Sequence, residues 1–148
     1  MGSRNVASSR LARPALNASA GEQVFTGICA ACHQIAGKGA LIGPSLDGVK
    51  NRGVERLCED ILDPNRAVDP AFRVLVLTLK DQSVVTGVLR REEGATLVIA
   101  DPAGQEKSIM KSEIAKREES PLSLMPAGLG DAIPEESFYN LLAWLMTK

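Results

Sequence analysis

Residues 29–33 read CAACH, and this stretch decides how the rest of the chain is interpreted. Cys29 and Cys32 are three positions apart, which places them on neighbouring positions of one turn, and His33 follows directly. His33 is the one histidine among 148 residues, and Cys58 is the one further cysteine. A single histidine excludes a bis-histidine metal site within one chain, and three cysteines cannot form a framework of several disulfides.

The CxxCH spacing predicts covalent attachment of a c-type haem. Two thiols on one turn can form thioethers with the two haem vinyl groups, and the next residue then directs its imidazole at the iron. A zinc site needs a second pair of ligands, and a thioredoxin-like pair needs a preceding strand, where this sequence predicts a helix. We therefore expect one covalent haem c, bound through Cys29 and Cys32, with His33 as an axial iron ligand.

The sixth iron ligand must then be a residue other than histidine, and a methionine thioether favours Fe(II). Met110 falls in a predicted strand, and Met146 falls near the end of the last predicted helix. Met125 falls in an irregular loop, from which a thioether can reach an iron without interrupting a helix. We therefore predict Met125 as the second axial ligand. Cys58 lies on the apolar stripe of its helix and is expected to be a buried, inert thiol.

Composition and charge narrow the classes of function. The chain carries 17 basic and 18 acidic residues, a net charge of −1, which argues against a nucleic-acid binder and a polybasic membrane-surface protein. No apolar run reaches the roughly 18–20 residues that span a bilayer. Aromatic residues make up only 3% of the chain, so the core must be filled by aliphatic side chains or by a group that the sequence does not encode.

Three helices are predicted, with a β-rich segment before the last one. The first begins at a capping box, in which Ser19 is the N-cap and Glu22 its partner. Its apolar face is formed by Gly21, Val24, Phe25 and Ile28. The second begins near Asn51 and ends at Asp63-Pro64. The last begins at Pro134, and because four of the five aromatic residues lie in the first and last helices, we expect those two helices to be in contact.

Residues 72–118 are rich in β-forming residues and predict a small antiparallel insert. The predicted strands are Phe72–Lys80, Val84–Glu92, Ala95–Ala100, Glu106–Met110 and Ile114–Arg117. We expect its inner face to be formed by Val74, Val76, Val85, Leu97 and Ile99. Because the insert contributes no predicted ligand, we expect that a short linker could replace it without loss of haem ligation, and that its role is partner docking or self-association.

Several motifs together resemble class I cytochromes c. They are Gly21-x-x-Val24-Phe25, the CxxCH motif, Gly43-Pro44-Ser45-Leu46 and Met125-Pro126. The resemblance covers residues 19–71 and 119–148 and implies a mainly α fold, a class I cytochrome c core with the antiparallel β insertion between the second helix and the Met-ligand loop. It also implies that His33 and Met125 are the axial ligands and that the Pro44 carbonyl accepts the N–H of His33.

The β insert departs from that family and is similar to the haem-binding domains at the C-terminal end of large planctomycete and verrucomicrobial dehydrogenase-like proteins. The segments that carry this resemblance are Ile61–Arg66, Phe72-Arg73 and Ser123–Pro126. It implies one-electron transfer between a fused catalytic domain or partner protein and a respiratory acceptor. A haem with both axial positions filled leaves no open site for a substrate, so we expect no enzyme activity. A sensor or peroxidase-like haem with a labile sixth ligand, and an interaction module with a structural haem, are the alternatives.

The expected domain organisation is a linker over 1–18 followed by the cytochrome c domain over 19–148. Met1, Gly2 and Ser3 are interpreted as a cloning remnant. Residues 4–20 lack the apolar region of a signal peptide, so we expect the sequence to be part of a longer protein. Covalent haem attachment nevertheless predicts a periplasmic or otherwise extracytoplasmic location.

Overall fold

The computed structural model describes residues 15–148. The linker predicted over 1–18 therefore lies mostly outside the described residues. The helices are α1 Ala18–Val24, α2 Val54–Leu62, α3 Leu129–Ala132 and α4 Glu135–Leu145, with a π-helical turn over Phe25–Cys29 and 3₁₀ turns over Val49–Arg52, Pro70–Phe72 and Lys111–Glu113. The strands are β1 Arg73–Leu79, β2 Val84–Glu93, β3 Thr96–Ala100, β4 Glu106–Met110 and β5 Ile114–Ser123.

The expectation of a mainly α fold is wrong, because the structure is mixed. Helices make up 34% of the described residues and strands 29%, and the strands form a five-stranded antiparallel sheet. The strands lie where the β-rich segment predicts them, except that β5 continues to Ser123. That continuation includes Pro121, which is tolerated because β5 is at the edge of the sheet, where a residue without an N–H is accommodated.

The sheet curls into a small, partly open barrel, residues 73–123. Its strand order is β4-β3-β2-β1-β5, so the last two strands of the sequence lie at opposite ends of the sheet. Only the 3₁₀ turn Lys111–Glu113 joins them, so the sheet must curve to bring these ends together. The barrel core is entirely aliphatic and consists of Leu75, Leu77, Leu97, Ile99 and Ile109.

The predicted inner face of β1 is wrong by one residue. Leu75, Leu77 and Leu79 pack in the barrel core, in place of Val74 and Val76. Every residue of β1 after Arg73 except Thr78 is apolar, so the sequence alternation could not distinguish the two faces. Pairing with β2 and β5 fixes the register and thus the face.

The predicted contact between the first and last helices is confirmed. The rings of Phe25 and Trp144 lie 5.0 Å apart, and a Cβ added to Gly21 would collide with the Asn140 backbone carbonyl. The buried Asn140 side chain accepts a hydrogen bond from Asn17 N at 2.8 Å. The residues around this crossing form the helical core, which consists of Phe25, Ile35, Val49, Leu57, Ile61, Ile133, Phe138, Leu141, Leu142, Trp144 and Leu145.

Three local helix predictions need correction. Asn17 is the N-cap of α1 in place of Ser19, and its side chain accepts from Ala20 N at 3.0 Å. Asn51 lies in the 3₁₀ turn Val49–Arg52, so α2 begins later, at Val54, although it ends directly before Asp63-Pro64 as predicted. Ile28 is 42% exposed, because the wide turn over Phe25–Cys29 takes it off the face that packs on α4.

None of the helices within residues 15–148 combines the length and the apolar character that crossing a membrane would require.

Candidate haem-attachment site

The attachment turn, residues 29–33, follows the π-helical turn and is held together by short-range backbone hydrogen bonds. Ala30 N donates to Phe25 O at 2.9 Å, which closes the π-helical turn. Cys32 N and His33 N both donate to Cys29 O, at 3.1 and 2.9 Å. The two thiols and the imidazole therefore all branch from a single compact turn.

A glycine-rich loop, residues 37–48, wraps around the attachment turn. Backbone N–H groups of the loop donate hydrogen bonds to carbonyl oxygens of the turn. Ala40 N donates to Ala30 O at 2.9 Å. Ile42 N and Gly43 N donate to Cys32 O at 3.0 and 2.7 Å. These bonds fix the loop against the turn without using any side chain.

The same loop orients the imidazole of His33. Nδ1 of His33 lies 2.8 Å from Pro44 O, and because a carbonyl oxygen can only accept, Nδ1 carries the proton and donates. The lone pair of the neutral ring is then on Nε2, the nitrogen left for a metal. A Cβ added to Gly43 would lie 2.8 Å from Cε1 of the ring and 3.1 Å from Nδ1. The ring therefore has space for this orientation only because residue 43 is glycine.

Burial makes the thiols of the attachment turn less acidic than an ordinary cysteine, with a raised pKa for both. Burial, with a smaller contribution from the neighbouring Cys32, raises the pKa of the Cys29 thiol to about 11. Burial also raises the pKa of Cys32. A thiol–disulfide oxidoreductase needs a lowered cysteine pKa, so these shifts argue against the thioredoxin-like alternative.

Cys58 lies apart from this chemistry. It is half-buried on α2 and packs against the helical core. Burial, with a smaller contribution from Glu55, raises the pKa of its thiol. Within residues 15–148, no three histidine, cysteine or carboxylate side chains are grouped so that they could hold a metal ion.

The three candidate methionines have different surroundings. Met110 is 51% exposed on β4, at an edge of the barrel. Met125 and Met146 are both half-buried and pack against the helical core, as Cys29 does. Met125 N donates to Ser123 Oγ at 3.1 Å, which holds the start of the Met125 loop, residues 124–128. The structure thus separates Met110 from the other two and leaves Met125 as the candidate on an irregular loop.

The residues around the attachment turn fit a haem. Cys29 and Cys32 are free thiols, so both can form thioethers. Nε2 of His33 is the ring nitrogen that the Pro44 contact leaves for ligation. Two exposed apolar side chains, Ile28 and Leu41, belong to the segments that form the turn and its loop, and each is 42% exposed. A porphyrin supplies the large apolar surface that such side chains would cover.

Two polar residues of the site were not singled out from the sequence. Asp47 accepts from Ala36 N at 2.7 Å and so fixes the entrance to the glycine-rich loop. Asn65 accepts from Ser123 N at 2.9 Å across 58 residues. The Asp63-Pro64 helix stop was a signal for a turn at Asn65, but nothing local indicated its partner.

Comparison with known proteins gives a match to the segment that contains the attachment turn. Residues 18–72 match the family model for cytochrome c, and the matched range includes the attachment turn and Pro44. None of the curated proteins matches the chain. The family match supports a c-type cytochrome with a covalent haem, and haem-based electron transfer as its general function.

Proposed function

We propose that this chain is a one-electron carrier, with haem c bound through Cys29 and Cys32 and ligated by His33 and Met125. The observation that carries the proposal is the 2.8 Å contact between His33 Nδ1 and Pro44 O, directly after a CxxCH turn. That contact fixes the tautomer and the direction of the imidazole before any iron is bound.

Each residue has a separate role in this proposal. A bound haem supplies an iron that gains and loses one electron. The N–H of His33 donates to a carbonyl, which makes the ligating Nε2 more basic. The thioether of Met125 favours the reduced iron and raises the potential. With both axial positions filled, a substrate has no coordination site, so the proposed domain is a carrier and not an enzyme.

The proposed partner is a fused catalytic domain or a separate redox protein, with a respiratory acceptor on the other side of the relay. Cytochrome c domains are usually extracellular or periplasmic, and the proposed location is accordingly extracytoplasmic. The barrel is the surface proposed for self-association.

The attachment chemistry is tested by expressing the chain together with c-type haem maturation enzymes. We expect the haem to stay on the polypeptide in acidified organic solvent, and intact mass to show one added haem. The variant Cys29→Ser/Cys32→Ser is the control and should release its haem completely. Free extraction of haem from the unaltered chain would contradict the proposal.

The ligand assignment is tested by comparing three methionine variants. Met125→Ala should remove the Met–Fe(III) charge-transfer band and lower the reduction potential, because the thioether that favours Fe(II) is lost. Met110→Ala and Met146→Ala should keep the band. If Met146→Ala removes it and Met125→Ala does not, the ligand is Met146. If the unaltered chain lacks the band, its haem has a labile sixth position, as in a sensor or a peroxidase-like site.

A further inference from the structure

We infer that the barrel is a positioning element for the segments that hold both proposed axial ligands, through Ser123 on the methionine side and Gly104 on the histidine side. This inference rests on the proposed ligation by His33 and Met125. It assigns a role to a region that the cytochrome c family match, residues 18–72, does not include.

On the methionine side, the barrel runs directly into the ligand loop. β5 ends at Ser123, two residues before Met125, and Ser123 is paired with Arg73 of β1. Ser123 N donates to Oδ1 of the half-buried Asn65 at 2.9 Å, and Ser123 Oγ accepts from Met125 N at 3.1 Å. One residue thus joins the barrel, the segment after α2 and the Met125 loop.

On the histidine side, the β3–β4 turn packs on the glycine-rich loop. A Cβ added to Gly104 would lie 2.9 Å from Ile42 Cδ1 and 3.5 Å from Ala31 O. Ile42 is only 6% exposed although most of its loop is at the surface. Its backbone bonds to Cys32 O, and the next residue, Gly43, lies against the ring of His33. The turn therefore contacts the segment that orients the imidazole.

The β3–β4 turn is itself held in one conformation. The carboxylate of Asp101 accepts from Ala103 N at 3.0 Å and from Gln105 N at 2.9 Å. Gly104 N donates to Asp101 O at 2.9 Å, and Gly104 has a φ of +84°, which favours glycine. Because the turn has one conformation, the position of the barrel determines where the turn contacts Ile42.

The inferred positioning role leads to the opposite of the sequence-based expectation that a linker could replace the insert without loss of Met ligation. Removal of residues 74–117 would leave Arg73–Ser123 as the last remaining pair between β1 and β5, and it would remove the turn that covers Ile42. We expect the Met125 loop to lose its fixed starting point as a result.

The methionine side is tested with Asn65→Ala in the haem-loaded chain. Loss of the acceptor should weaken the Met–Fe(III) charge-transfer band and speed amide exchange at Ser123 and Met125 by about two- to tenfold. Asn65→Asp keeps an acceptor oxygen and should restore both signals. Asn51→Ala, at an exposed asparagine in the 3₁₀ turn before α2, is the matched control and should change neither.

The histidine side is tested with two glycines of the barrel turns that both have positive φ. Gly104→Ala and Gly94→Ala both place a Cβ at a residue with positive φ, +84° and +59°, but a Cβ at Gly94 meets nothing within 4 Å. Only Gly104→Ala should shift the reduction potential and the haem absorbance bands. If the two variants shift them equally, backbone strain explains the effect and the histidine-side contact is overturned.

The outcomes separate this inference from the proposed function. If the unaltered chain has no Met–Fe(III) band, the proposed ligation is wrong, whatever the variants do. If the band is present and neither Asn65→Ala nor Gly104→Ala differs from its control, the ligation stands and the positioning role of the barrel is wrong.

Discussion

The helical part of the molecule, residues 15–72 and 124–148, and the barrel differ in how their roles are encoded. The helical part concentrates its chemistry in five consecutive residues, 29–33, and the family match ends at residue 72, directly before β1. The barrel has no comparable motif, and its contacts with the site join residues far apart in the sequence, such as Asn65 and Ser123. The chemistry of the attachment turn can therefore be predicted from the sequence, whereas the proposed positioning role of the barrel can be inferred only from the folded structure.

The two parts also differ in what stabilises them. The helical core combines aliphatic side chains with the Phe25–Trp144 pair, whereas the barrel core is entirely aliphatic. The outer surface of the barrel carries a dense set of ion pairs, in which Arg91, for example, contacts both Glu93 and Glu106. Two parts built so differently either unfold separately or behave as one unit, and variants in each part distinguish these outcomes.

The largest effect is expected from truncating one fully buried leucine in each core. Leu141 in the helical core and Leu77 in the barrel are both 0% exposed, so each change to alanine should lower the free energy of unfolding by about 2–5 kcal/mol. Denaturant titrations of the haem-loaded chain should be followed by circular dichroism and by haem absorbance. If the barrel positions the ligand loops, Leu77→Ala will shift the haem transition as well. A haem transition that only Leu141→Ala shifts would show that the two parts unfold independently.

The second prediction concerns the thiols of the haem-free chain. Because the pKa of Cys29 is raised from 9.0 to about 11, its thiolate fraction at pH 8 should be about a hundredfold below that of an ordinary cysteine. Alkylation of Cys29, located by mass spectrometry, should be slow at pH 8 and accelerate towards pH 11, with the denatured chain as the control. Since the folded state retains the proton longer, the free energy of unfolding should fall as the pH rises from 9 towards 11. Alkylation at the same rate in the folded and denatured chains would contradict the burial of this thiol.

The third prediction concerns the crossing of α1 and α4. Gly21→Ala places a methyl group against the Asn140 backbone and should lower the free energy of unfolding by about 1–3 kcal/mol. Gly27→Ala, six residues further along, meets nothing within 4 Å and should be neutral or stabilise the chain by up to about 1 kcal/mol. Equal thermal stabilities of these two variants would show that the helices can separate without cost.

The smallest effect is expected on the barrel surface. Hydrogen bonding to Arg91 lowers the pKa of Glu106, so this pair stabilises the fold only above the acid range, and the contribution is lost as the pH falls. Both side chains are exposed, and salt screens their interaction. Arg91→Ala should therefore lower the thermal midpoint much less than Leu77→Ala does. At high salt, the thermal midpoint of Arg91→Ala should equal that of the unaltered chain. A decrease in the thermal midpoint that persists at high salt would indicate that the Arg91 side chain also stabilises the barrel by packing.

The fold could be predicted where one sequence feature, such as a proline, determined the structure. It could not be predicted where two features of the sequence pointed to different structures. The end of α2 before Asp63 follows from Pro64, and the α1–α4 contact follows from the placement of the aromatic residues. The inner face of β1 could not be chosen, because its valines and leucines are equally apolar. The expectation of a mainly α fold is wrong because it follows the resemblance to a helical family, whereas the β-rich segment forms a five-stranded sheet.

The candidate site divides in the same way. The attachment turn and the segment of Pro44 were identified from residue spacing and resemblance, and the structure places Pro44 O against His33 Nδ1. The roles of Asn65 and Gly104 could not be predicted, since each depends on a partner that only the barrel brings near. Whether Met125 ligates iron stays a prediction.

The wide turn over Phe25–Cys29 has a consequence for changes in chain length. It holds one residue more than an α-helical turn, with Ala30 N bonded to Phe25 O, and the cysteines follow immediately. A single-residue deletion there would convert it to an ordinary turn and rotate the entire CxxCH sequence about the helix axis, while Gly21 and Phe25 stayed against α4. Insertions and deletions between Phe25 and Cys29 should therefore disturb haem attachment far more than those in the exposed Asp81–Ser83 turn of the barrel. The number of residues in that turn does not affect the direction of any proposed ligand.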